Sequence, residues 1–208
     1  MKITALQPQT RNLERVNLHV DGEFRLALAA EIAYGAHLHV GDEISEATLR
    51  DLEARDQAWK AREAALVLLS FRPRTAAELR RRLLQKEFPE ETVDSCVASL
   101  VDQGLVNDGA FAETFVRDRV RLRPKGKQRL AQELRAKGVN PDEAQEAIAG
   151  VFEREEVSES ELARAAAAKW RPRAGEERPK ARARLHAFLA RRGFGGDAIR
   201  EVMAELLE

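Results

Sequence analysis

Six apolar positions recur three times in the last three quarters of this 208-residue chain, and they constrain the fold more than any other feature. Within each copy they are three to five residues apart, a spacing typical of two amphipathic helices that meet at a corner. The corners at Phe88, Val139 and Phe194 are 51 and 55 residues apart. The three sets are Leu79, Leu83, Phe88, Val93, Val97 and Leu100; Leu130, Leu134, Val139, Ala144, Ile148 and Val151; and Leu185, Leu189, Phe194, Ile199, Met203 and Leu206.

A basic turn precedes each copy, in which an apolar residue is followed by Arg, Pro and a second base. The turns are Phe71-Arg72-Pro73-Arg74, Leu122-Arg123-Pro124-Lys125 and Trp170-Arg171-Pro172-Arg173. In the third copy the turn lies farther upstream, and Pro179 restores the spacing, which predicts an insertion of one or two helical turns in that loop. With a helix ahead of each turn, the chain contains three three-helix repeats, and stacking such units buries faces that one unit leaves exposed.

Capping residues in the sequence also predict where helices begin. Thr75 and Glu78 form a capping box, and proline follows asparagine at Asn140 as expected for a first helical turn. Asp108 is expected to cap the helix that follows it. Residues 46–70 form either one long helix or two joined near Arg55 and Asp56.

Residues 1–44 have a different pattern. Apolar residues alternate on both sides of Asp21-Gly22, which predicts a β-hairpin with one apolar face. Ile3, Ala5 and Leu6 suggest a third strand, and the apolar residues around Gly35 and Gly41 predict a short helix and a further strand. We therefore expect an N-terminal β-hairpin domain (1–44) and three repeats (45–108, 109–152 and 153–208). The predicted fold class is mainly α, a tandem array of three three-helix repeats that forms an elongated curved rod.

Composition and motifs favour a binding protein over an enzyme. No apolar run approaches the ~20 residues of a membrane span and no signal segment is visible, so we expect a cytoplasmic protein. The single cysteine, Cys96, lies on an apolar helix face and is expected to be a buried structural thiol. The four histidines match no zinc or triad spacing, and His37 and His39 are interpreted as surface residues. We therefore expect no catalysis, no metal and no cofactor.

The basic turns are the candidate binding surface. The chain has no formal net charge, but residues 109–152 carry nine bases and six acids. From Arg117 to Arg129 every second residue is basic, and Asp118 is the one acid between them. Because this span offers one acid, the seven bases cannot all pair within one unit, and we expect their charges to face solvent, a neighbouring unit or a partner. The candidate partner-binding residues are Arg72, Arg74, Arg117, Arg119, Arg121, Arg123, Lys125, Lys127, Arg129, Arg171, Arg173, Arg178 and Lys180.

These motifs resemble the RecX family, bacterial regulators of the RecA recombinase. The resemblance is carried by the run from Arg72 to Glu78-Leu79, by Gly104-Leu105 and Asn107-Asp108, by Gly126 ahead of Leu130, and by Lys137-Gly138-Val139. It covers residues 58–152 best, and the third repeat departs from it through its insertion.

The resemblance implies an array of three-helix repeats that binds RecA filaments on DNA. It further implies inhibition of ATP hydrolysis, strand exchange and stimulated repressor cleavage in recombination and DNA repair. We expect the protein to be a monomer. Two alternatives stay open: a direct DNA-binding protein with helix-turn-helix-like units, and a protein scaffold unrelated to recombination. Neutral net charge disfavours strong DNA binding alone.

Overall fold

The computed structural model describes residues 1–206, apart from the side chain of Leu206. The chain begins with an antiparallel sheet of β1 (Ile3–Pro8), β2 (Arg15–Val20) and β3 (Glu23–Ala29), in the order β1-β2-β3. Asp21 and Gly22 join β2 to β3 with φ values of 51° and 87°. The predicted hairpin and the third strand therefore both form.

The predicted strand around Gly41 is wrong. After α1 (Ala30–Gly35) the chain to residue 45 forms no strand within the described structure, and its contact with the start of the chain is an isolated bridge between Lys2 and Glu43 with a few flanking backbone hydrogen bonds. His37 and Gly41 have φ values of 50° and 102°. Such left-handed backbone interrupts the extended conformation that a strand requires, and Val40, one of the apolar residues that suggested the strand, is 62% exposed.

Nine further helices follow within the described residues, and they group in threes along the chain. The first is unbroken, which settles the alternative of one helix or two. The helices are α2 (Glu46–Phe71), α3 (Ala76–Leu84), α4 (Glu90–Asp102), α5 (Asp108–Leu122), α6 (Lys127–Ala136), α7 (Pro141–Arg154), α8 (Glu159–Ala167), α9 (Arg178–Arg191) and α10 (Gly196–Leu206). The mainly α class with tandem three-helix repeats and a small N-terminal sheet is confirmed.

The repeated apolar positions are the core of these helices. Leu79, Leu130 and Leu185, the first position of each set, are at most 1% exposed. Every other described member is also buried, except Phe88, which is half-buried. The side chain of Leu206 lies outside the described residues. The six-position pattern therefore identified the buried faces in all three repeats.

Contacts divide the chain into two compact units. The first contains residues 1–72 and 79–100, and the second contains residues 73–78 with the chain from Val101 onward. In the first unit the sheet packs against α2, with Leu18, Leu28 and Leu52 in its core. Arg15 and Asp56 form a buried ion pair between β2 and α2, with 2.7 Å between Nη1 and Oδ1.

The second unit contains a contact that recurs between repeats. The Thr75 hydroxyl, at the start of α3, donates to the carbonyl of Lys137 at 2.6 Å. The amide of Gly126, at the start of α6, donates to the carbonyl of Arg192 at 3.0 Å. Thr75 is equivalent to Gly126 in the repeat pattern, and Lys137 is equivalent to Arg192. The corner of one repeat thus packs on the start of the middle helix of the repeat before it.

Helix starts in this unit differ in one respect from expectation. Asn107, rather than Asp108, caps α5, because its Oδ1 accepts from the Ala110 amide at 2.8 Å. The Asp108 carboxylate instead accepts from the amide of Ala76 at 2.8 Å. Asp108 therefore satisfies a free donor in the first turn of α3, a role that sequence spacing did not indicate.

Candidate interaction surface

The basic run of the second repeat is paired more fully than the sequence predicted. Arg117 Nε lies 2.7 Å from a carboxylate oxygen of Glu155, and Arg121 Nη2 lies 3.4 Å from the other. These contacts hold the pKa of the Glu155 carboxyl below its ordinary value, chiefly through the hydrogen bond from Arg117. This acid lies at the end of α7, outside the span from Arg117 to Arg129 in which the sequence showed a single acid.

Glu133 on α6 provides the second carboxylate. It accepts from Arg119 at 3.4 Å, from Arg129 at 3.1 Å, and from the ammonium of Lys125. Burial raises the pKa of Glu133, but the hydrogen bonds and charge of Lys125, with help from Arg129 and Arg119, outweigh it and leave the pKa lowered. Five cations thus share two carboxylates, and the surface keeps a positive surplus.

The other two bases of the run have no carboxylate partner among the described residues. The ammonium of Lys127 lies 4.8 Å from the ring centroid of Phe152, close enough for a cation–π contact. Arg123 ends α5 with an exposed side chain. Of the seven bases, Arg123 is therefore the one most available to a partner.

The first and third turns hold their bases differently. Arg72 is exposed at the end of α2, and Arg74 forms an ion pair with Glu78 in the first turn of α3. In the third turn the Arg171 guanidinium donates to the carbonyl of Ala168. Lys180 pairs with Glu177 at 2.9 Å, whereas Arg173 and Arg178 are exposed.

The insertion in the third repeat lengthens a helix. Counted from the first repeated leucine, α3 and α6 begin three residues upstream, whereas α9 begins seven residues upstream. The loop ahead of α9 is held by Arg184, whose guanidinium lies 5.2 Å from the Trp170 ring centroid and pairs with Glu176 at 2.5 Å. The insertion is therefore ordered, and about one turn of it is helical.

A basic concave site, the inter-repeat pocket, lies between the second and third repeats. It encloses about 710 Å³. Sequence reasoning missed half of its bases, because Lys169, Arg191 and Arg192 lie outside the basic turns. The sequence did contain a signal for Arg192, because each corner begins with a base, at Lys86, Lys137 and Arg192. The pocket is lined by Leu122, Arg123, Pro124, Lys125, Arg129, Ala165, Ala166, Lys169, Arg191 and Arg192.

Other classes of site find no support in the described part of the chain. No cluster of three potential metal ligands is present within residues 1–206. Over the same residues, no helix combines the length and apolar character that crossing a bilayer requires. Cys96 is buried, and burial raises the pKa of its thiol, as expected for a structural residue.

The fold and this surface define a tandem three-helix-repeat protein with a cation-rich turn in each repeat. Four family profiles match it in order: the RecX N-terminal domain over residues 1–45, and the first, second and third RecX three-helix domains over residues 61–100, 107–148 and 158–203. The chain belongs to the RecX family of regulatory proteins.

Relatives and solved structures agree with this membership. The chain is 32% identical over 206 residues to regulatory protein RecX of Clostridioides difficile strain 630, covering 99% of this chain and 95% of the relative. It is 30% identical over 207 residues to regulatory protein RecX of Clostridium botulinum strain Alaska E43, covering 99% and 96%. A crystal structure of regulatory protein RecX matches with a TM-score of 0.83 at 25% identity, over 98% of this chain and 100% of the other. RecX from Lactobacillus salivarius matches with a TM-score of 0.59 at 25% identity, over 73% and 97%.

Proposed function

We propose that this protein is a negative regulator of the RecA recombinase. It binds the RecA filament on DNA and inhibits its ATPase, its strand exchange and its stimulation of repressor cleavage. It acts as a cytoplasmic monomer by binding, with no chemistry of its own. The observation that carries the proposal is the match to regulatory RecX relatives over 99% of the chain.

The charge of the turns supports a binding role. In the second repeat five cations share two carboxylates, and Arg123 and Lys127 have no carboxylate partner in the part of the chain that the structure describes. A surplus of positive charge accelerates encounter with an acidic surface and fixes its register more than it adds affinity. We propose that the partner-binding residues are the thirteen bases in and around the turns. Arg123, Arg173 and Arg178, whose side chains have no carboxylate partner among the described residues, contribute most.

Repetition supports a filament as the partner. A filament presents the same surface once per subunit, and this chain presents an equivalent basic turn once per repeat. Several weak contacts on one chain bind more tightly than any of them alone, because each contact raises the effective concentration of the next. Turns that are individually weak can therefore hold the protein on a polymer of identical subunits.

The direct test is the single-strand-dependent ATPase of RecA, measured at increasing amounts of this protein. We expect the ATPase to fall at substoichiometric to stoichiometric ratios, while the protein alone hydrolyses no ATP. An ATPase that stays unchanged at saturating protein would overturn the proposed function.

The proposed contact residues have their own test. Arg173→Glu with Arg178→Glu reverses two exposed turn bases, and Arg81→Glu with Lys86→Glu reverses two exposed bases on and just after α3. Both pairs change the net charge equally, and exposed charges contribute only about 0–1 kcal/mol to stability. We expect the turn variant to inhibit RecA more weakly than the matched control. Equal inhibition by the two variants would remove the third turn from the binding surface.

A further inference from the structure

The inter-repeat pocket has a strongly one-sided lining. Six of its ten lining side chains are cationic and none is acidic. Three of the six, Arg123, Lys169 and Arg191, have no side-chain partner among the described residues. Arg192 is held at the wall, where its guanidinium lies 4.6 Å from the Phe188 ring centroid and donates to the Pro124 carbonyl at 3.4 Å. The pocket thus has fixed walls and unpaired charges.

Helix ends reduce this positive charge without cancelling it. The C-terminal ends of α5, α8 and α9 lie at the pocket, and each carries about half a negative charge from its free carbonyls. Such ends attract cations, which is one reason for bases to gather there. Together with the Glu133 carboxylate they offset about two and a half of the six positive charges. The pocket therefore keeps a surplus of roughly three and a half positive charges, which favours binding of an anion.

Hydrogen-bonding capacity narrows the choice of anion. Arginine and lysine side chains only donate, and the remaining lining side chains, Leu122, Pro124, Ala165 and Ala166, are apolar. The lining side chains thus offer no acceptor; the acceptors at the pocket are backbone carbonyls at the helix ends, of which that of Pro124 accepts from Arg192. An acidic peptide carries an amide donor at nearly every residue, for which the lining side chains supply no partner. The backbone of a DNA strand presents phosphate and sugar oxygens that only accept.

We propose that the inter-repeat pocket binds the sugar-phosphate backbone of a single DNA strand. The guanidinium forks of Arg123 and Arg191 engage phosphate oxygens in pairs, and the Lys169 ammonium neutralises a neighbouring phosphate. Leu122, 71% exposed at the pocket, contacts the apolar faces of the sugars. This inference rests on the proposed function, because the filament that the protein binds carries such a strand.

The test measures binding of a fluorescently labelled oligothymidine by anisotropy, with the full chain and without RecA. The pocket variant combines Arg123→Gln, Lys169→Gln and Arg191→Gln. The matched control combines Arg81→Gln, Lys86→Gln and Arg182→Gln, which removes the same charge from exposed positions outside the pocket. Helical circular dichroism and the melting temperature confirm that both variants are folded.

We expect the pocket variant to bind the oligothymidine at least about tenfold more weakly than the parent. The slope of log affinity against log salt should fall by about 2, since a single strand releases about 0.7 counterion per neutralised phosphate. The control should stay within about twofold of the parent, because long-range screening leaves scattered charges little influence. Unlabelled oligothymidine should compete far better than polyglutamate of equal charge.

Three outcomes would overturn the pocket proposal: no binding by the parent, equal losses in both variants, or polyglutamate as the better competitor, which would make the site one for acidic peptide. RecA inhibition is measured in parallel to separate the two proposals. If the parent inhibits RecA but does not bind the oligothymidine, the pocket proposal fails and the proposed function stands. If the parent binds the oligothymidine but does not inhibit RecA, the proposed function fails.

Discussion

Gly126 and Gly193 lie so close together that a Cβ atom added to Gly126 would overlap the Gly193 carbonyl. The backbone at Gly126 has φ −73° and ψ 162°, which any residue adopts. Proximity to the next repeat, rather than backbone conformation, therefore requires glycine at this position. The pair marks the place where the third corner packs on the start of α6.

Gly126→Ala should weaken this contact between repeats. Because the added methyl has no space, we expect a loss of about 1–3 kcal/mol in the free energy of unfolding, as for other overpacked sites. Gly150→Ala, in the middle of α7, is the matched control and should stabilise by about 0.5–1 kcal/mol through helix propensity. Urea unfolding followed by circular dichroism measures both. A Gly126→Ala variant as stable as the parent would contradict the close packing of the corner.

Asp56→Asn should destabilise the first unit strongly. Asp56 accepts from Arg15 and from the amide of Ala29, and its removal leaves the Arg15 guanidinium buried without a counterion. Breaking a buried pair in this way costs about 3–5 kcal/mol. Asp51→Asn on the same helix breaks only an exposed contact with Arg55 and should cost less than about 1 kcal/mol. Similar losses in the two variants would show that the Arg15 pair is not buried in solution.

The same carboxylate should give the protein a pH dependence. Burial raises the pKa of Asp56, but hydrogen bonds from Arg15, Lys60 and Ala29 outweigh it, so the pKa in the folded state is lowered. The pair therefore contributes its full stability above the unfolded pKa of about 3.9 and loses it as the pH falls through the folded value. Urea unfolding between pH 6 and 3 should show a steeper fall for the parent than for Asp56→Asn. Parallel curves would argue against a lowered pKa.

Glu133→Gln should have opposite effects on stability and on DNA binding. The substitution leaves Arg119, Lys125 and Arg129 without their shared carboxylate, which we expect to cost about 1.5–3 kcal/mol of stability. Two of these bases line the inter-repeat pocket, so oligothymidine affinity should rise and its salt dependence should steepen. The control is Glu146→Gln, an exposed acid on α7. An unchanged oligothymidine affinity in Glu133→Gln would show that Lys125 and Arg129 do not contribute to binding of the strand.

Leu134→Ala tests the buried face of the second repeat. Leu134 is 0% exposed in a core with Leu130, Val139 and Ile148, so truncation should cost about 2–5 kcal/mol. Leu122→Ala removes the same atoms from a side chain that is 71% exposed and should change stability by less than about 0.5 kcal/mol. The measurement is the free energy of unfolding of each variant, compared with that of the parent. A cost at Leu122 equal to that at Leu134 would contradict the assignment of buried positions.

The fold was predictable because its signals are local. The spacing of Leu130 and Leu134 defines a buried helix face, and Thr75 caps α3 within a window of four residues. The charge partners were not predictable in this way. Arg117 meets Glu155 only after α5 and α7 pack together, and residues 38 positions apart leave no pattern in the sequence. The strand expected near Gly41 failed for the opposite reason, since apolar residues suggested it but left-handed backbone prevents it.

The contact between a corner and the start of the middle helix in the preceding repeat has a direction along the chain. Lys137 packs on the start of α3 and Arg192 on the start of α6, whereas the equivalent position in α9 is Ala181. Ala181 is buried inside a helix that already began at Arg178, so the amide that would receive another corner is committed to the helix's own hydrogen bonds. The extra turn of the third repeat therefore ends the series of corner contacts. The corner of a fourth repeat added by duplication would have no free helix start to pack on until that turn was removed.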